Sequence, residues 1–557
     1  MPSKTLSILR PALALSALSM TLSLGACQPP APRGPSAGPG AAAPPISPSL
    51  GPASTGIGAL TAPGLTLRDS LALTPYLDDI LKAAMRKRLD RQGAALEPYE
   101  AIEDLIPRTE SIRFKDSVDA IEAHFNAGEE LFEFELTDLD GFGDGLGGKP
   151  PNFHRVHRGA HGGPDSTSCR SCHHRGGDDG AGEWTENALV AGDGDRVDSA
   201  LERNPPALQG GGAIQILAAE ITAAFREQMP RKLPTEPVAV QLSYQGVDFG
   251  TIRVLPDGSW DTSKLAAIDP DLVVRPFGWK GTHSTLRRFA EEAFQVHHGL
   301  NSRAMIDLRQ FYGTAAVGTS PATRALAAGL GEGKADDPDQ DQIRYELDDG
   351  HLSAIAVYLA LLPLPIIDPP RSPDLVEAWR EGAQTFTALG CESCHKPMWN
   401  LQKPTWVEHH DQDPSLRKPL TLDLSKDIKN GPPLRNFDVT LAGYPIFPFT
   451  DLRRHDMGPE LADPLPRSTS VGPHQGDRSG PNIPASYFLT RPLWGLAETG
   501  PYLHDGRAVT LHDAVLLHGG EAAQTRDAYK ALPPHRQRAL EVFLLSLTRL
   551  PFPEVTP

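Results

Sequence analysis

The clearest periodic pattern of apolar residues lies just before position 391. The run Ser372-Pro373-Asp374 predicts a helix start, because proline is favoured in the first helical turn. The apolar residues that follow are spaced three or four positions apart, as one face of a helix requires; they are Val376, Trp379, Ala383 and Phe386. Gly390 can end this helix. A similar apolar face predicts the last helix of the chain, and it consists of Leu540, Phe543, Leu544 and Leu547.

Two other stretches do not follow the helical period. Apolar and polar residues alternate over 238–244 and 247–255, and Pro256-Asp257-Gly258 is a turn signal, so this segment predicts a small β-hairpin inserted in the first half. Residues 400–480 are rich in proline and predict an extended loop region of the second half.

Five features recur in the same order about 250 residues apart. Each copy has a helix with Gly-x-x-x-Phe, a Cys-x-x-Cys-His motif, an Arg/Pro/Gly stretch, a Thr-Leu helix start that runs to His-Gly, and an apolar helix that stops at proline. The copies begin at Gly128 and Gly382, and their closing helices end before Pro363 and Pro551. Such a repeat predicts a mainly α fold with two related helical domains in tandem, at 66–370 and 371–557.

The N-terminus has the pattern of an export signal. Lys4 and Arg10 precede the apolar stretch 12–24, which is shorter than the roughly 20 residues that a membrane span needs. Leu24-Gly25-Ala26-Cys27 resembles the lipobox of bacterial lipoproteins, which implies a signal peptide over 1–27 and lipidation of Cys27; an ordinary signal peptide that contains a cysteine is the alternative. Residues 28–65 are rich in Pro, Ala, Gly and Ser and predict a flexible tether.

The composition limits the classes of partner that the protein is expected to bind. Among 557 residues the formal charge is −17, and an acidic surface repels nucleic acid and anionic lipid. We therefore expect no nucleic-acid partner, and contact with a membrane only through the lipid anchor. The counts of 52 glycines and 54 prolines favour long loops between the predicted helices.

The cysteines indicate the chemistry. Apart from Cys27, the chain has Cys169, Cys172, Cys391 and Cys394, and each pair is followed at once by a histidine, His173 or His395. Covalent haem attachment needs two thiols at this spacing and a histidine directly after them as the proximal iron ligand. A four-cysteine zinc site and thioredoxin-like redox pairs are the alternatives, but zinc does not require both histidines and the redox pair needs a βαβ context. The sequence thus predicts two covalently bound c-type haems.

The second axial ligand of each haem decides whether its iron only transfers electrons or can also bind a substrate. His518 ends an apolar helix and is the candidate distal ligand of the second haem, with Met457 as a further candidate that could simply pack in the core. The repeat points to His297 or His298 for the first haem, and the sequence does not separate them.

Four more residues are candidates for supporting roles. If peroxide is reduced, an acid/base group must move a proton between its oxygens, and Glu220 and Gln215 are candidates, although a helix surface would also explain them. Trp279 and Trp494 could lie between the haems and help electron transfer, or they could be ordinary core residues.

Several motifs together resemble a known family. Pro501-Tyr502-Leu503-His504-Asp505-Gly506-Arg507, followed by Thr510-Leu511 and His518, is similar to the C-terminal motif of bacterial di-haem cytochrome c peroxidases. The closer resemblance is to the di-haem oxidoreductase family of that superfamily, labelled as peroxidases or thiol oxidoreductases. Its motifs are similar to Phe277-Gly278-Trp279-Lys280, His455-Asp456-Met457-Gly458 and His518-Gly519-Gly520-Glu521-Ala522.

The resemblance implies two cytochrome c-like domains with an interface between the haems. It implies peroxide reduction at the first haem, and electron entry at the second haem from a small redox protein such as a cytochrome or a cupredoxin. Histidine at 518, where many of those peroxidases have methionine, would lower the potential of the second haem. A bis-histidine first haem would leave no open site, so an electron carrier and an enzyme that oxidises an organic or protein substrate are alternatives.

Two further expectations follow from the family and the export signal. The peroxidases hold a calcium ion between their domains, so Ca²⁺ is an expectation here too, although no segment of this chain indicates it. Gln28 after Cys27 favours the outer membrane as the site of a lipid-anchored protein in the periplasm or cell envelope.

Overall fold

The computed structural model describes the following residues: 118–136, 140, 142, 156–158, 164–177, 180–192, 196–265, 268–300, 302, 346–347, 349–408, 420–426, 443–463 and 483–549. The predicted signal peptide, Cys27 and the tether lie outside them. All described residues belong to one compact unit, Asp79–Pro557. Among them, no helix combines the length and the apolarity that crossing a bilayer requires.

Helices make up most of the regular structure. In chain order, the described helices are α1 (Val118–Glu133), α2 (Cys169–Cys172), α3 (Gly211–Gln228), α4 (Leu286–Ala293), α5 (Asp349–Leu361), α6 (Pro373–Ala388), α7 (Leu511–Leu516), α8 (Ala523–Lys530) and α9 (Pro534–Leu544). A π-helical turn, Phe294–His298, continues α4.

The strands are short and form several small sheets. They are β1 (Val156–Arg158), β2 (Ala188–Gly192), β3 (Leu201–Arg203), β4 (Val238–Tyr244), β5 (Val247–Val254), β6 (Trp260–Leu265), β7 (Ile366–Ile367), β8 (Trp399–Leu401), β9 (Thr405–Val407), β10 (Thr421–Asp423), β11 (Tyr444–Ile446), β12 (Arg454–Asp456), β13 (Tyr487–Leu489) and β14 (Leu547–Thr548). The three-stranded sheets have the orders β1-β2-β3 and β4-β5-β6, and the pairs are β7-β14, β8-β11, β9-β10 and β12-β13.

The predicted alternating segment does form paired strands. β4 and β5 are antiparallel, with Val238 opposite Val254, and β6 adds a third strand that the sequence pattern did not indicate. Leu242, Phe249 and Ile252 point into the core, since each is fully buried. The sheet thereby packs against α3 through Phe225 and Phe249, whose ring centroids are 4.9 Å apart.

The two halves use the same helix crossing. A Cβ on Gly128 of α1 would lie 2.2 Å from the carbonyl oxygen of Ala354 in α5, and a Cβ on Gly382 of α6 would lie 2.0 Å from that of Ala539 in α9. Only glycine lets the two backbones approach so closely. The repeated Gly-x-x-x-Phe motif is therefore explained by a repeated contact between the first and the closing helix of each half.

The predicted helix starts are confirmed, and one predicted helix end is wrong. Thr285 and Thr510 cap α4 and α7 by accepting hydrogen bonds from the backbone N–H groups of Arg288 and Asp513. The last helix ends at Leu544 rather than near residue 550. Leu547 and Thr548 instead pair with β7, directly before α6, so the apolar Leu547 belongs to a strand that joins the two ends of this half.

The predicted loop region 400–480 packs differently from expectation. Where it is described, it carries short strands, and Trp406 and Leu422 are buried in the core of the first half, together with Trp399 just before the segment. The indole N–H of Trp399 donates to the carbonyl oxygen of Thr450 at 2.7 Å. The segment thus contributes mainly to the core of the first half, while its Phe449 packs in the second core with Phe386 and Phe543. The domain boundary at 370/371 stays a prediction.

Candidate haem-binding sites

The first Cys-x-x-Cys-His motif lies on the wall of a cavity in the first half. Ser168 caps α2 by accepting a hydrogen bond from the backbone N–H of Ser171 at 3.3 Å, and this turn brings Cys169, Cys172 and His173 to the cavity. Both thiols are free, and burial raises the pKa of Cys169 to about 12. Such a thiol is protonated at neutral pH, unlike the low-pKa thiolate of a redox pair.

His173 has the hydrogen bonding of a metal ligand. Its Nδ1–H donates to the carbonyl oxygen of Gly180 at 3.2 Å. Burial lowers the pKa of His173 to about 4, so the imidazole is neutral at pH 7. A neutral ring whose Nδ1 is held by a carbonyl keeps Nε2 available for a metal.

The π-helical turn after α4 brings both distal candidates to the same cavity. The Nδ1 of His297 lies 3.0 Å from a carboxylate oxygen of Asp165, and the Nδ1 of His298 lies 2.7 Å from the carbonyl oxygen of Ser166. Burial opposes protonation of His297, but Asp165 outweighs it and raises the pKa of that ring. His298 has its Nε2 3.7 Å from the Cys169 sulfur. Both rings are therefore placed as candidates for the distal ligand of the first haem.

The second motif is built on a tighter turn. Gly390, with φ +80°, ends the chain segment after α6 and leads into the 3₁₀ turn Cys391–Ser393. Cys391, Cys394 and His395 line a second cavity. The Nδ1–H of His395 donates to the carbonyl oxygen of Phe449 at 3.1 Å, and burial lowers the pKa of His395 to about 4. This histidine thus repeats the arrangement of His173.

His518 faces His395 across the second cavity. The two ring centroids are 6.4 Å apart, with an angle of 54° between the ring planes. Two imidazoles that bind one metal at about 2 Å from each nitrogen have centroids roughly 6 Å apart, so the spacing fits a shared iron. The Nδ1–H of His518 donates to the carbonyl oxygen of Ala514 at 2.7 Å, which leaves Nε2 free. The residues present therefore fit a haem with two histidine ligands.

Met457 lines the same cavity but lies beside a charged cluster. Its neighbour His455 has Nε2 2.9 Å from Asp451 and Nδ1 2.8 Å from Glu521. Burial opposes the charge, but the hydrogen bond with Asp451 raises the pKa of His455 to about 10. His455 is therefore an ion-paired cation rather than an iron ligand. The spacing of the His395 and His518 rings supports His518 as the distal ligand, and Met457 stays the second candidate.

The positions of the cysteine pairs argue against a four-cysteine zinc site. Within the described part of the chain, the only cluster of three or more metal-ligating side chains is Cys394, Asp451 and His455, so the two pairs do not meet. That cluster also lacks the six to eight oxygen ligands that Ca²⁺ takes. The calcium ion stays a prediction without a site.

The two cavities share a wall, and Trp279 is part of it. Its indole N–H donates to the carbonyl oxygen of Asn204 at 2.8 Å, which fixes the ring. Trp494 lines the second cavity but not the first, and it packs against Gly210. The residues that line both cavities are Asn204, Pro205, Pro206, Leu208, Trp279, Phe289 and Leu359.

Glu220 and Gln215 lie outside the residues that line either cavity. Glu220 accepts hydrogen bonds from the Tyr244 hydroxyl at 3.0 Å and from the backbone N–H of Gln402 at 2.8 Å. Gln215 bridges the backbones of Leu286 and Val407. Both side chains connect structural elements, so their placement does not support the predicted role in proton transfer.

A different pair lines the first cavity and escaped the sequence analysis. His283 and Glu292 are in close contact through Nε2 and a carboxylate oxygen, and both are buried. The Thr282 hydroxyl lies 2.9 Å from the His283 Nδ1. The spacing of a histidine before α4 and a glutamate within α4 matches no sequence motif. The signal that could have pointed to this pair was the Thr-Leu helix start, which lies near a predicted haem site.

Comparison with known families identifies one segment. Residues 366–547 match the family model described as "Di-haem oxidoreductase, putative peroxidase". The matched segment begins in β7 and ends in β14, the two strands that join the ends of this half. The resemblance to this family is confirmed for these residues, and the family implies haem cofactors. No curated protein matches the chain.

Two solved structures share limited similarity. One is hydrazine synthase of Kuenenia stuttgartiensis pressurised with xenon, 16% identical, with a TM-score of 0.28, covering 82% of this chain and 96% of that one. The other is a MauG-like protein associated with microbial copper homeostasis, 15% identical, with a TM-score of 0.29 and coverages of 82% and 94%. At such TM-scores neither structure informs the activity of this chain.

Proposed function

We propose that this chain, whose residues 366–547 match the di-haem oxidoreductase family, is an exported di-haem c-type cytochrome that reduces hydrogen peroxide with electrons delivered through its C-terminal haem. The observation that carries the proposal is the pair of cavities, each with two cysteines and a neutral histidine, that meet at a common wall containing Trp279. The equivalent crossings at Gly128 and Gly382 support two cytochrome c-like domains in tandem.

When bound, each haem supplies an iron that exchanges one electron, and two together store the two electrons that peroxide reduction consumes. The chain's own residues hold these groups. Cys169 and Cys172 would attach the first haem and His173 would ligate it, while Cys391, Cys394 and His395 would do the same for the second. His518 would complete the second iron's ligands and leave it an electron-transfer centre.

Peroxide reduction, H₂O₂ + 2 H⁺ + 2 e⁻ → 2 H₂O, also requires proton movement beside the breaking O–O bond. His283 and Glu292 are placed to do this in the first cavity, since the His283 Nε2 and a Glu292 carboxylate oxygen are in close contact there. A positioned acid/base group contributes about 10²–10⁴-fold to such a reaction. Trp279 lines both cavities, so its side chain would offer a route into the first cavity for an electron that enters at the second haem.

One observation favours a second candidate function. His297 and His298 both line the first cavity, and a histidine on each side of the iron would give a six-coordinate centre. Both haems would then be bis-histidine, and the chain would be an electron carrier without substrate turnover. Oxidation of an organic or protein substrate needs an exchangeable first haem, as peroxide reduction does.

EPR of the oxidised, haem-loaded protein separates these functions. A high-spin signal, present before or after half-reduction and removed by peroxide, supports the peroxidase. Two low-spin signals that persist through half-reduction and peroxide addition would overturn it in favour of the carrier. Protein that contains no haem, although made with working maturation machinery, would overturn both.

Matched glutamate variants test the acid/base assignment. Glu292→Gln should slow peroxide reduction by about 10²–10⁴-fold, while Glu220→Gln, outside both cavities, should leave the rate near that of the wild type. The opposite result would restore Glu220 and remove the His283–Glu292 pair from the mechanism.

Export and partners belong to the same proposal. The N-terminal pattern and Cys27 support a lipid-anchored protein of the periplasm or cell envelope, held at the outer membrane. The net charge of −17 favours a small electron donor, a cytochrome or cupredoxin, with a basic surface patch. Labelling with radioactive palmitate, which a Cys27→Ala variant should lose, tests the anchor.

A further inference from the structure

Arg491 lies in the wall of the second cavity, close to the wall that the cavities share. It lies two residues after the end of β13, and the backbone N–H of the intervening Thr490 donates to the carbonyl oxygen of Arg453 at 2.9 Å. Its guanidinium carbon is 5.6 Å from the ring centroid of Trp279, within the range of a cation–π contact. The Arg491 cation is therefore fixed beside both the second cavity and Trp279.

Other enclosed arginines of the described chain have carboxylate partners. Arg454 pairs with Asp269, Arg203 with Asp463 and Arg287 with Glu408. Arg491 forms no ion pair with a carboxylate among the described residues. Burial lowers its pKa to about 10, and no anion offsets that effect. An enclosed cation without a counter-ion is destabilising, so this position fits a group that brings its own negative charge.

We propose that Arg491 binds a propionate carboxylate of the haem attached at Cys391 and Cys394, an inference that rests on the proposed di-haem function. Arginine matches a carboxylate with two parallel N–H donors, which is the geometry preferred for such groups. A haem carries two propionates, and a haem in this cavity shares its walls with Arg491. A free carboxylate from solution is the other source of the same chemistry.

The consequence is a charge placed next to the electron path. A cation beside the haem stabilises the reduced state, so it raises the midpoint potential. The ion pair also keeps the propionate deprotonated, which makes the potential insensitive to pH. Arg491 is thus a positioning residue: it holds the haem edge near Trp279 and sets the driving force of electron entry.

The test is a spectroelectrochemical titration of the haem-loaded protein from pH 5 to 9. Arg491→Gln should lower one midpoint potential only, and that potential should become pH-dependent because the unpaired propionate takes up a proton on reduction. Arg491→Lys keeps the charge and should stay close to the wild type. Arg371→Gln, which removes a charge at an 85% exposed side chain, should change neither potential.

Other results of the same titration would contradict the role of Arg491. Unchanged potentials and pH dependence in Arg491→Gln would overturn the proposal, as would loss of the second haem from both the Gln and the Lys variants, since that would indicate a folding role. A wild-type potential that shifts on addition of acetate would assign Arg491 to a free carboxylate instead. None of these measurements depends on peroxide turnover. A protein that binds two haems and shows the expected shifts in midpoint potential, but does not reduce peroxide, would contradict only the peroxidase function.

Discussion

Arg203 and Asp463, 260 residues apart in the chain, form a two-point ion pair with N–O distances of 2.8 and 2.9 Å. The Asp463 side chain is only 1% exposed, and it also receives Lys280 at 3.1 Å. Burial opposes its charge, but Arg203 outweighs burial and holds the pKa of Asp463 below its usual range. One carboxylate thus compensates two cations that line the first cavity.

Removal of that carboxylate should destabilise the protein strongly. Asp463→Ala leaves Arg203 and Lys280 without a counter-ion in a buried position, and breaking such a pair costs about 3–5 kcal/mol. The measurement is chemical denaturation of the haem-loaded protein. Asp198→Ala is the control, since Asp198 pairs with Arg196 at the surface, where both side chains are more than 60% exposed, and exposed pairs contribute about 0–1 kcal/mol. Equal effects would show that the Asp463 cluster is not a buried network.

Lys280 should make stability depend on alkaline pH. Burial lowers its pKa to about 8, below the 10.5 of an unperturbed lysine, so between these values the unfolded chain binds more protons than the folded one. Stability attributable to Lys280 should therefore rise with pH over this window, by up to about 1.4 kcal/mol per pH unit.

The variant Lys280→Met should lose this alkaline rise, while Asp463 keeps Arg203 as a partner. Thermal unfolding from pH 7 to 10 measures the difference from the wild type. Lys426→Met is the control, because the Lys426 side chain is 77% exposed. A rise that persists in Lys280→Met would assign it to another group.

Local patterns explain which features the sequence could predict. Thr285 and Thr510 cap helices, and Gly390 forms a turn, through contacts within a few residues of their own position. The helix starts and the turn into Cys391 could therefore be predicted from the sequence. The glycines Gly128 and Gly382 were visible as a repeat, although their reason, contact with a carbonyl of another helix, needed the structure.

Long-range contacts account for what was not predicted. Nothing near Trp399 or Trp406 shows that they pack in the core of the first half, because apolar residues in a proline-rich stretch fit any core. The location of Glu220 outside both cavities was not predicted for a similar reason, because its partners Tyr244 and Gln402 are distant in the chain. The haem-binding chemistry of the short Cys-x-x-Cys-His motifs was therefore predictable from the sequence. The side chains that surround each motif in the fold were not.

Trp279 should matter for electron transfer between the haems, and Trp494 should not. Trp279 lines both cavities, whereas Trp494 lines only the second. We expect Trp279→Phe to slow the transfer after rapid reduction of the second haem by about tenfold, equivalent to about 1.4 kcal/mol on the barrier. Stopped-flow absorption measures this rate. Trp494→Phe is the matched control, and an equal slowing in both variants would indicate general disturbance of the second cavity rather than a path through Trp279.

The ligand opposite His395 can be tested by exchanging histidine and thioether. With the two ring centroids 6.4 Å apart, His518→Met places a thioether where an imidazole faces His395. A methionine ligand raises haem potential, so the midpoint potential of one haem should rise by on the order of 100 mV, within the roughly 0.8 V range that axial ligands span. Potentiometric titration gives the shift, and the low-spin EPR signal of that haem should change with it. Met457→Leu should leave both readouts unchanged; if it alters them and His518→Met does not, Met457 is the ligand.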